Sequence, residues 1–95
     1  MTALMLGQIV ATPGALAALD AAATAPATLL RRHAASDWGD LDPHDRAANA
    51  LALRDGSRLL SAYHIAAGVT VWIITEAADE DGYRHATTLL LPSEY

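Results

Sequence analysis

The pattern of apolar residues changes at Gly56, and this change sets the fold class. Before Gly56, two segments begin with a capping residue followed by proline and continue with apolar residues at helical spacing. After it come two runs rich in β-forming residues, Arg58 to Ala66 and Val69 to Glu76, and the Ala67-Gly68 pair between them is typical of a tight hairpin turn. A chain of 95 residues suffices for one domain and not for two. The sequence therefore predicts a single α+β domain over residues 1–95.

The remaining elements follow from local signals. The predicted segments are a strand over Leu6 to Ala11, a helix over about Pro13 to Ala23 capped by Thr12, a short helix containing Leu29, Leu30 and His33, a helix from Asp42-Pro43 to Gly56, and a last strand over His85 to Leu91. The predicted fold is a short N-terminal strand, three helices and a three-stranded antiparallel meander, with the helices packed on one sheet face.

The hairpin register decides which side chains share a sheet face. With a two-residue loop, Tyr63 lies opposite Trp72, and Leu60, Ala62, Val71 and Ile73 share the other face. Both faces are then partly apolar. We expect one to pack against the helices and the other to be available to a partner.

Composition excludes several classes of function. A formal charge of −5 argues against a protein that binds nucleic acid by neutralising phosphates. The six glycines never form a phosphate-binding loop, and the chain has no cysteine for a thiolate metal site. The N-terminus lacks the basic start of a signal peptide, and no stretch approaches the roughly twenty apolar residues that span a bilayer. We therefore predict a cytoplasmic protein with no cofactor, no membrane contact and no direct contact with nucleic acid.

A mixed polar segment, Asp37 to Arg46, lies between two alanine- and leucine-rich stretches and is called the polar island here. It holds four of the eleven acidic residues together with Trp38 and His44. Such a segment is either a tightly hydrogen-bonded helix entry or a binding surface. Trp38 has two corresponding interpretations, a filler between helix and sheet or an aromatic anchor at an interface.

A divalent metal site is the main chemical alternative in this region. The candidate ligands are His33, Asp37, Asp40, Asp42 and His44. Their spacing matches no strong metal motif, and Asp42 has a simpler role as the cap of the third helix. We predict no metal and no catalytic residue, and keep as the alternative a small metal-assisted hydrolase that uses His33, Asp40 and His44.

Several segments carry a resemblance to known proteins. They are Gly7 to Leu16, Arg32-His33, Asp37 to Leu41, Gly56 to Tyr63, Trp72 to Ala77 and Thr87 to Tyr95. On these residues the chain resembles small, mostly uncharacterised proteins of bacterial plasmids and other mobile elements, some of which are labelled as related to the methylation subunit of type I restriction systems. This chain is too short for that activity and has no Asn-Pro-Pro-Tyr-type motif. It also departs from the group by a longer segment, Asp79 to Tyr83.

The functional expectation combines these observations. We expect a non-enzymatic accessory protein of a mobile element that binds another protein, in its most specific form an inhibitor of a host defence system (restriction or CRISPR). The expected contact residues are Asp37, Trp38, Asp40, His44, Tyr63 and Trp72. A homodimer that serves as a subunit of a larger complex is a further alternative.

Overall fold

Three helices and a four-stranded mixed sheet make up the computed structural model, which describes residues 4–95. In chain order the elements are β1 (Gln8–Ala11), α1 (Pro13–Ala21), α2 (Pro26–Ala34), α3 (Pro43–Asp55), β2 (Leu59–Ala66), β3 (Val69–Thr75), β4 (Ala86–Leu90) and a short 3-10 helix (Pro92–Glu94). The predicted α+β class is confirmed. No helix within the described residues is long and apolar enough to cross a membrane.

The sheet has one strand more than the predicted meander. Its strand order is β1-β4-β3-β2. The pairs β2–β3 and β3–β4 are antiparallel, as predicted, but β1 joins in parallel alongside β4, with Gln8 opposite Ala86 and Ala11 opposite Leu89. The sheet therefore has two edge strands, β1 at one side and β2 at the other.

The predicted hairpin register is wrong by one residue. Tyr63 pairs with Val71, and Trp72 pairs with Ala62. The cause is an irregularity between His64 and Ala66, where β2 contains one extra residue. Every pair farther from the turn is therefore shifted by one residue. Val71 consequently shares a face with Tyr63 and not with Ala62, because side chains alternate along each strand.

Local capping chemistry confirms the predicted starts of α1 and α3 and the predicted end of α3, whereas α1 ends at Ala21, two residues before the predicted end at about Ala23. The side chain of Thr12 accepts a hydrogen bond from the N–H of Ala15 at 3.1 Å, and that of Asp42 accepts one from the N–H of Asp45 at 2.8 Å. At the end of α3, Gly56 adopts the left-handed conformation with φ of 84°.

One face of the sheet is covered by α1 and α2. The main core cluster joins Ala15, Leu19 and Leu29 of these helices to Tyr63, Val71, Ile73 and Leu89 of the strands. A second cluster contains Trp38, Ala52 and Leu59 and fixes α3 near β2. On the opposite face, Tyr95 lies edge-on to Trp72 with ring centroids 5.7 Å apart, so the C-terminus of the chain covers part of that surface.

Candidate functional site

The polar island covers the edge of β2 that faces away from β3. The Ala62 N–H donates to the carbonyl of Trp38 at 3.1 Å, and the Asp40 N–H donates to the carbonyl of Ala62 at 2.7 Å. The His64 N–H donates to Oδ2 of Asp40 at 2.9 Å. The island thus acts as a short parallel strand and gives partners to backbone groups that an edge strand otherwise leaves open.

Asn49 continues this cover towards the start of β2. Its side chain is almost fully buried at 3% exposure. Its Nδ2 donates to the carbonyl of Leu60 at 2.6 Å, and its Oδ1 accepts from the Leu60 N–H at 3.1 Å. One amide side chain on α3 therefore imitates a backbone pair and joins the helix to the sheet. Asn49 was not among the residues selected from the sequence.

Replacing Asn49→Ala is expected to lower the free energy of unfolding by about 2 kcal/mol, because the N–H and C=O of Leu60 lose their partners in a part-buried position. Chemical denaturation measures this change. The exposed Arg54 on the same helix supplies the control, Arg54→Ala, which should stay within about 0.5 kcal/mol of wild type. Equal effects of the two substitutions would contradict the assigned role of Asn49.

Asp37 holds the first turn of the island in place. Its carboxylate accepts from Nε of Arg32 at 2.7 Å and from the Gly39 N–H at 3.2 Å. The hydrogen bond from Arg32 is the main reason why the pKa of Asp37 lies below its ordinary value. The Arg32 guanidinium also lies 4.6 Å from the centre of the Tyr63 ring, and the Tyr63 hydroxyl donates to the carbonyl of Asp37 at 2.5 Å. Asp37 is therefore already engaged within the chain.

The two aromatic residues beside the island's first turn lie inside the protein. Trp38 is 7% exposed and Tyr63 is 1% exposed. The indole of Trp38 meets the ring of His33 edge-on at a centroid distance of 5.6 Å. These positions match the interpretation of Trp38 as a filler between helix and sheet. As a surface anchor, Trp38 would first have to leave the core.

The other expected contact residues are spread over the surface. Asp40 is exposed. The hydrogen bond from the backbone N–H of His64 is the main reason why the pKa of Asp40 lies below its ordinary value. The ring Nδ1 of His64 also lies 3.0 Å from this carboxylate. The side chain of His44 is 92% exposed. Trp72 lies on the opposite sheet face, beside Tyr95. The six expected contact residues therefore do not form one continuous exposed patch.

His33 lies in a buried chain of hydrogen bonds that the sequence did not predict. Its Nδ1 is 2.5 Å from the hydroxyl of Ser61, and its Nε2 is 2.8 Å from that of Thr75. The hydroxyl of Thr75 is 2.8 Å from that of Thr87, which donates to the carbonyl of Leu6 at 2.7 Å.

The last acceptor determines the direction of every bond in this chain. Because Thr87 gives its proton to a carbonyl, it accepts from Thr75, which in turn accepts from Nε2–H of His33. Nδ1 of the neutral ring then accepts from Ser61. Burial, followed by the charge of Arg84, lowers the pKa of His33 to about 4. The histidine is therefore neutral at physiological pH, with one defined tautomer.

The alternative metal site of His33, Asp40 and His44 is not assembled. His33 is buried with both ring nitrogens engaged, and Asp40 is bonded to His64. Within residues 4–95, the one group of three or more acidic and histidine side chains close enough to share an ion is Asp42, His44 and Asp45. Asp42 already accepts a backbone hydrogen bond there as the cap of α3. This geometry agrees with the capping role expected from the sequence.

An apolar groove of about 580 Å³ lies beside the start of β1. It is lined by Leu4, Met5, Gly7 and the segment from Gly82 to His85. The imidazole of His85 at its wall is held by Oδ2 of Asp79 at 2.5 Å. Asp79 also accepts from the N–H groups of Asp81 and Tyr83, so this acid orders the loop.

The edge of β1 is open, in contrast to that of β2. The N–H of Gln8 and that of Thr12 donate towards β4, at 2.9 and 3.0 Å. Because backbone groups alternate in direction along a strand, those of Ile9 and Ala11 point away from the sheet. Within residues 4–95 they have no hydrogen-bond partner. The side chain of Ile9 is 45% exposed and that of Val10 is 43% exposed.

Comparison with protein families, with curated proteins and with solved structures found no match to this chain. Of the surfaces described, the β1 edge is the one whose outward backbone groups have no partner among residues 4–95.

Proposed function

We propose that this protein is a non-enzymatic accessory protein of a bacterial mobile element that acts by binding another protein. The observation that carries the proposal is the open edge of β1. Backbone donors and acceptors on such an edge accept an added strand, and neighbouring apolar side chains give specificity. Ile9 and Val10 supply such side chains, and the groove beside Met5 extends the apolar surface towards the N-terminus.

The arrangement of polar side chains supports binding over catalysis. The Ser61–His33 pair has the spacing of a nucleophile and a base, but both side chains are fully buried and have no path to a substrate. The exposed histidines His64 and His85 are each held by a carboxylate, Asp40 and Asp79 respectively. Both exposed histidines are therefore already paired within the chain.

The proposed class of partner is a protein of a host defence system. The support is the resemblance to proteins of plasmids and other mobile elements. The acidic charge of −5 is too small over this length to imitate a nucleic-acid duplex, so we propose that binding depends on a strand and apolar contacts.

Replacing Ile9→Pro is expected to reduce partner capture at least about tenfold, since proline removes an outward N–H and its ring blocks an incoming strand. Proline is tolerated at this kind of position because the Ile9 N–H makes no bond within the sheet. The measurement is a pull-down from the native host, quantified by mass spectrometry, with wild type and both Ile9 variants.

Ile9→Val is the matched control, because it keeps the backbone donor and most of the apolar surface. It should capture the same protein as wild type. Circular dichroism establishes that the proline variant is folded. A folded Ile9→Pro protein that captures the partner as well as wild type does would rule out strand addition at β1.

A further inference from the structure

We infer that, in the isolated protein, the β1 edge is occupied by β1 of a second copy of this chain, antiparallel about a two-fold axis at Val10. The inference rests on the proposed function because it concerns the same edge. It goes further by naming an occupant and by predicting that a partner protein must displace this copy.

The spacing of the open groups makes β1 complementary to itself. A two-fold axis at Val10 places Ile9 opposite Ala11 of the second copy, and Ala11 opposite the second Ile9. In an antiparallel pair, two opposite residues whose backbone groups point towards each other exchange both N–H···O=C hydrogen bonds. The two copies thereby satisfy the outward N–H and C=O groups of both residues, and none of these groups is left unpaired.

Sequence limits on both sides favour this register. Shifting the axis towards the C-terminus would place Pro13, which has no N–H, opposite Ile9. Shifting it the other way would use Gly7, whose φ of 66° lies outside the strand conformation. The axis at Val10 uses the strand residues alone.

The charge distribution allows two acidic copies to meet here. Residues 1–19 contain no Asp, Glu, Lys, Arg or His, so the first acid in the chain is Asp20. At the end of β1 lies the carboxylate of Glu94, which accepts from the hydroxyl of Thr12 at 2.6 Å. The two-fold axis puts the two Thr12 positions roughly 14 Å apart along the strands, which is more than the screening length of about 8 Å at physiological salt.

The size of the contact predicts a weak, exchanging dimer. A strand of four residues with Ile9 and Val10 half exposed buries far less than the about 1,200 Å² typical of stable complexes. Such a dimer masks the edge at high protein concentration. It also leaves β1 accessible to a partner that offers a longer strand.

Sedimentation and a designed cross-link test the inference. Wild type should move from the mass of one chain, 10.0 kDa, towards twice that mass as its concentration rises, and Val10→Lys should remain monomeric because like charges then face each other across the axis. Val10 is in a non-hydrogen-bonded pair with its own copy, with Cα atoms about 4.5 Å apart, which is within disulfide range. Since the chain has no cysteine, Val10→Cys treated with oxidised glutathione, which takes up the two electrons, should form a disulfide-linked dimer at least about tenfold faster than the control.

The control is Leu51→Cys, whose position is 60% exposed on α3, the helix that packs near the opposite edge of the sheet. A wild type that stays monomeric, a Val10→Lys protein that associates like wild type, or equal cross-linking of the two cysteine variants would overturn the inference. Those outcomes leave the proposed function in place if Ile9→Pro still reduces partner capture, so failure of the dimer and failure of the proposed function are distinguishable.

Discussion

Replacing Gly39→Ala is expected to lower the free energy of unfolding by at least about 3 kcal/mol, a large part of the stability of a domain of this size. Gly39 has φ of +74°, where a side chain costs about 1–2 kcal/mol. A Cβ would also collide with the carbonyl oxygen of Ala62 and approach Cδ1 of Tyr63 to 2.6 Å. Relief of that clash separates the polar island from β2 and exposes the backbone groups that the island satisfies.

Gly68→Ala is the matched control for this prediction. Gly68 has φ of +70°, similar to that of Gly39, but a Cβ there has no neighbour within 4 Å. This substitution should therefore cost only the conformational part, about 1 kcal/mol. Urea denaturation of both variants measures the difference. Similar losses at the two glycines would mean that the contact between the island and β2 contributes little to stability.

Features encoded by neighbouring residues could be predicted from the sequence, because the groups that make them are close along the chain. The caps at Thr12 and Asp42 each bond to a backbone N–H three residues later. The stop at Gly56 likewise needs only a residue that tolerates positive φ. The starts of α1 and α3, the end of α3 and the hairpin between β2 and β3 were therefore recognisable.

Features that depend on distant residues could not be predicted. The pairing of β1 with β4 joins segments almost eighty residues apart, and no local pattern marks it. No glycine or proline marks the extra residue near Ile65, so the predicted register of the β2–β3 hairpin was wrong by one residue. The role of Asn49 depends on the position of Leu60, which lies in a different element.

The composition of the polar island marked it as a special segment but did not reveal which residues it contacts. Its mixed composition indicated either dense hydrogen bonding or a binding surface, and the structure has the hydrogen bonds. Covering β2 prevents that edge from pairing with other chains, which is a recognised hazard of sheet edges. The absence of any such cover from β1, within residues 4–95, is therefore the asymmetry on which the proposed function depends.

Lowering the pH from 7.5 to 4.5 is expected to reduce the free energy of unfolding by about 2–3 kcal/mol through His33 alone. The folded-state pKa of about 4 lies below the ordinary value of 6.5, so the unfolded chain binds a proton more readily. The contribution is complete above pH 6.5 and is lost as the pH falls towards 4. The carboxyl groups of Asp37, Asp40 and Asp79, whose pKa values are lowered, lose their contribution only at lower pH.

His33→Gln isolates this effect, because glutamine hydrogen-bonds but does not titrate. We expect the variant to be less stable than wild type at pH 7.5, since the chain from Ser61 to Thr87 is interrupted. Its stability should nevertheless depend less on pH, by about 2–3 kcal/mol between pH 7.5 and 4.5. Urea denaturation at both pH values measures the four free energies. Parallel pH profiles for wild type and His33→Gln would show that the buried imidazole does not control acid unfolding.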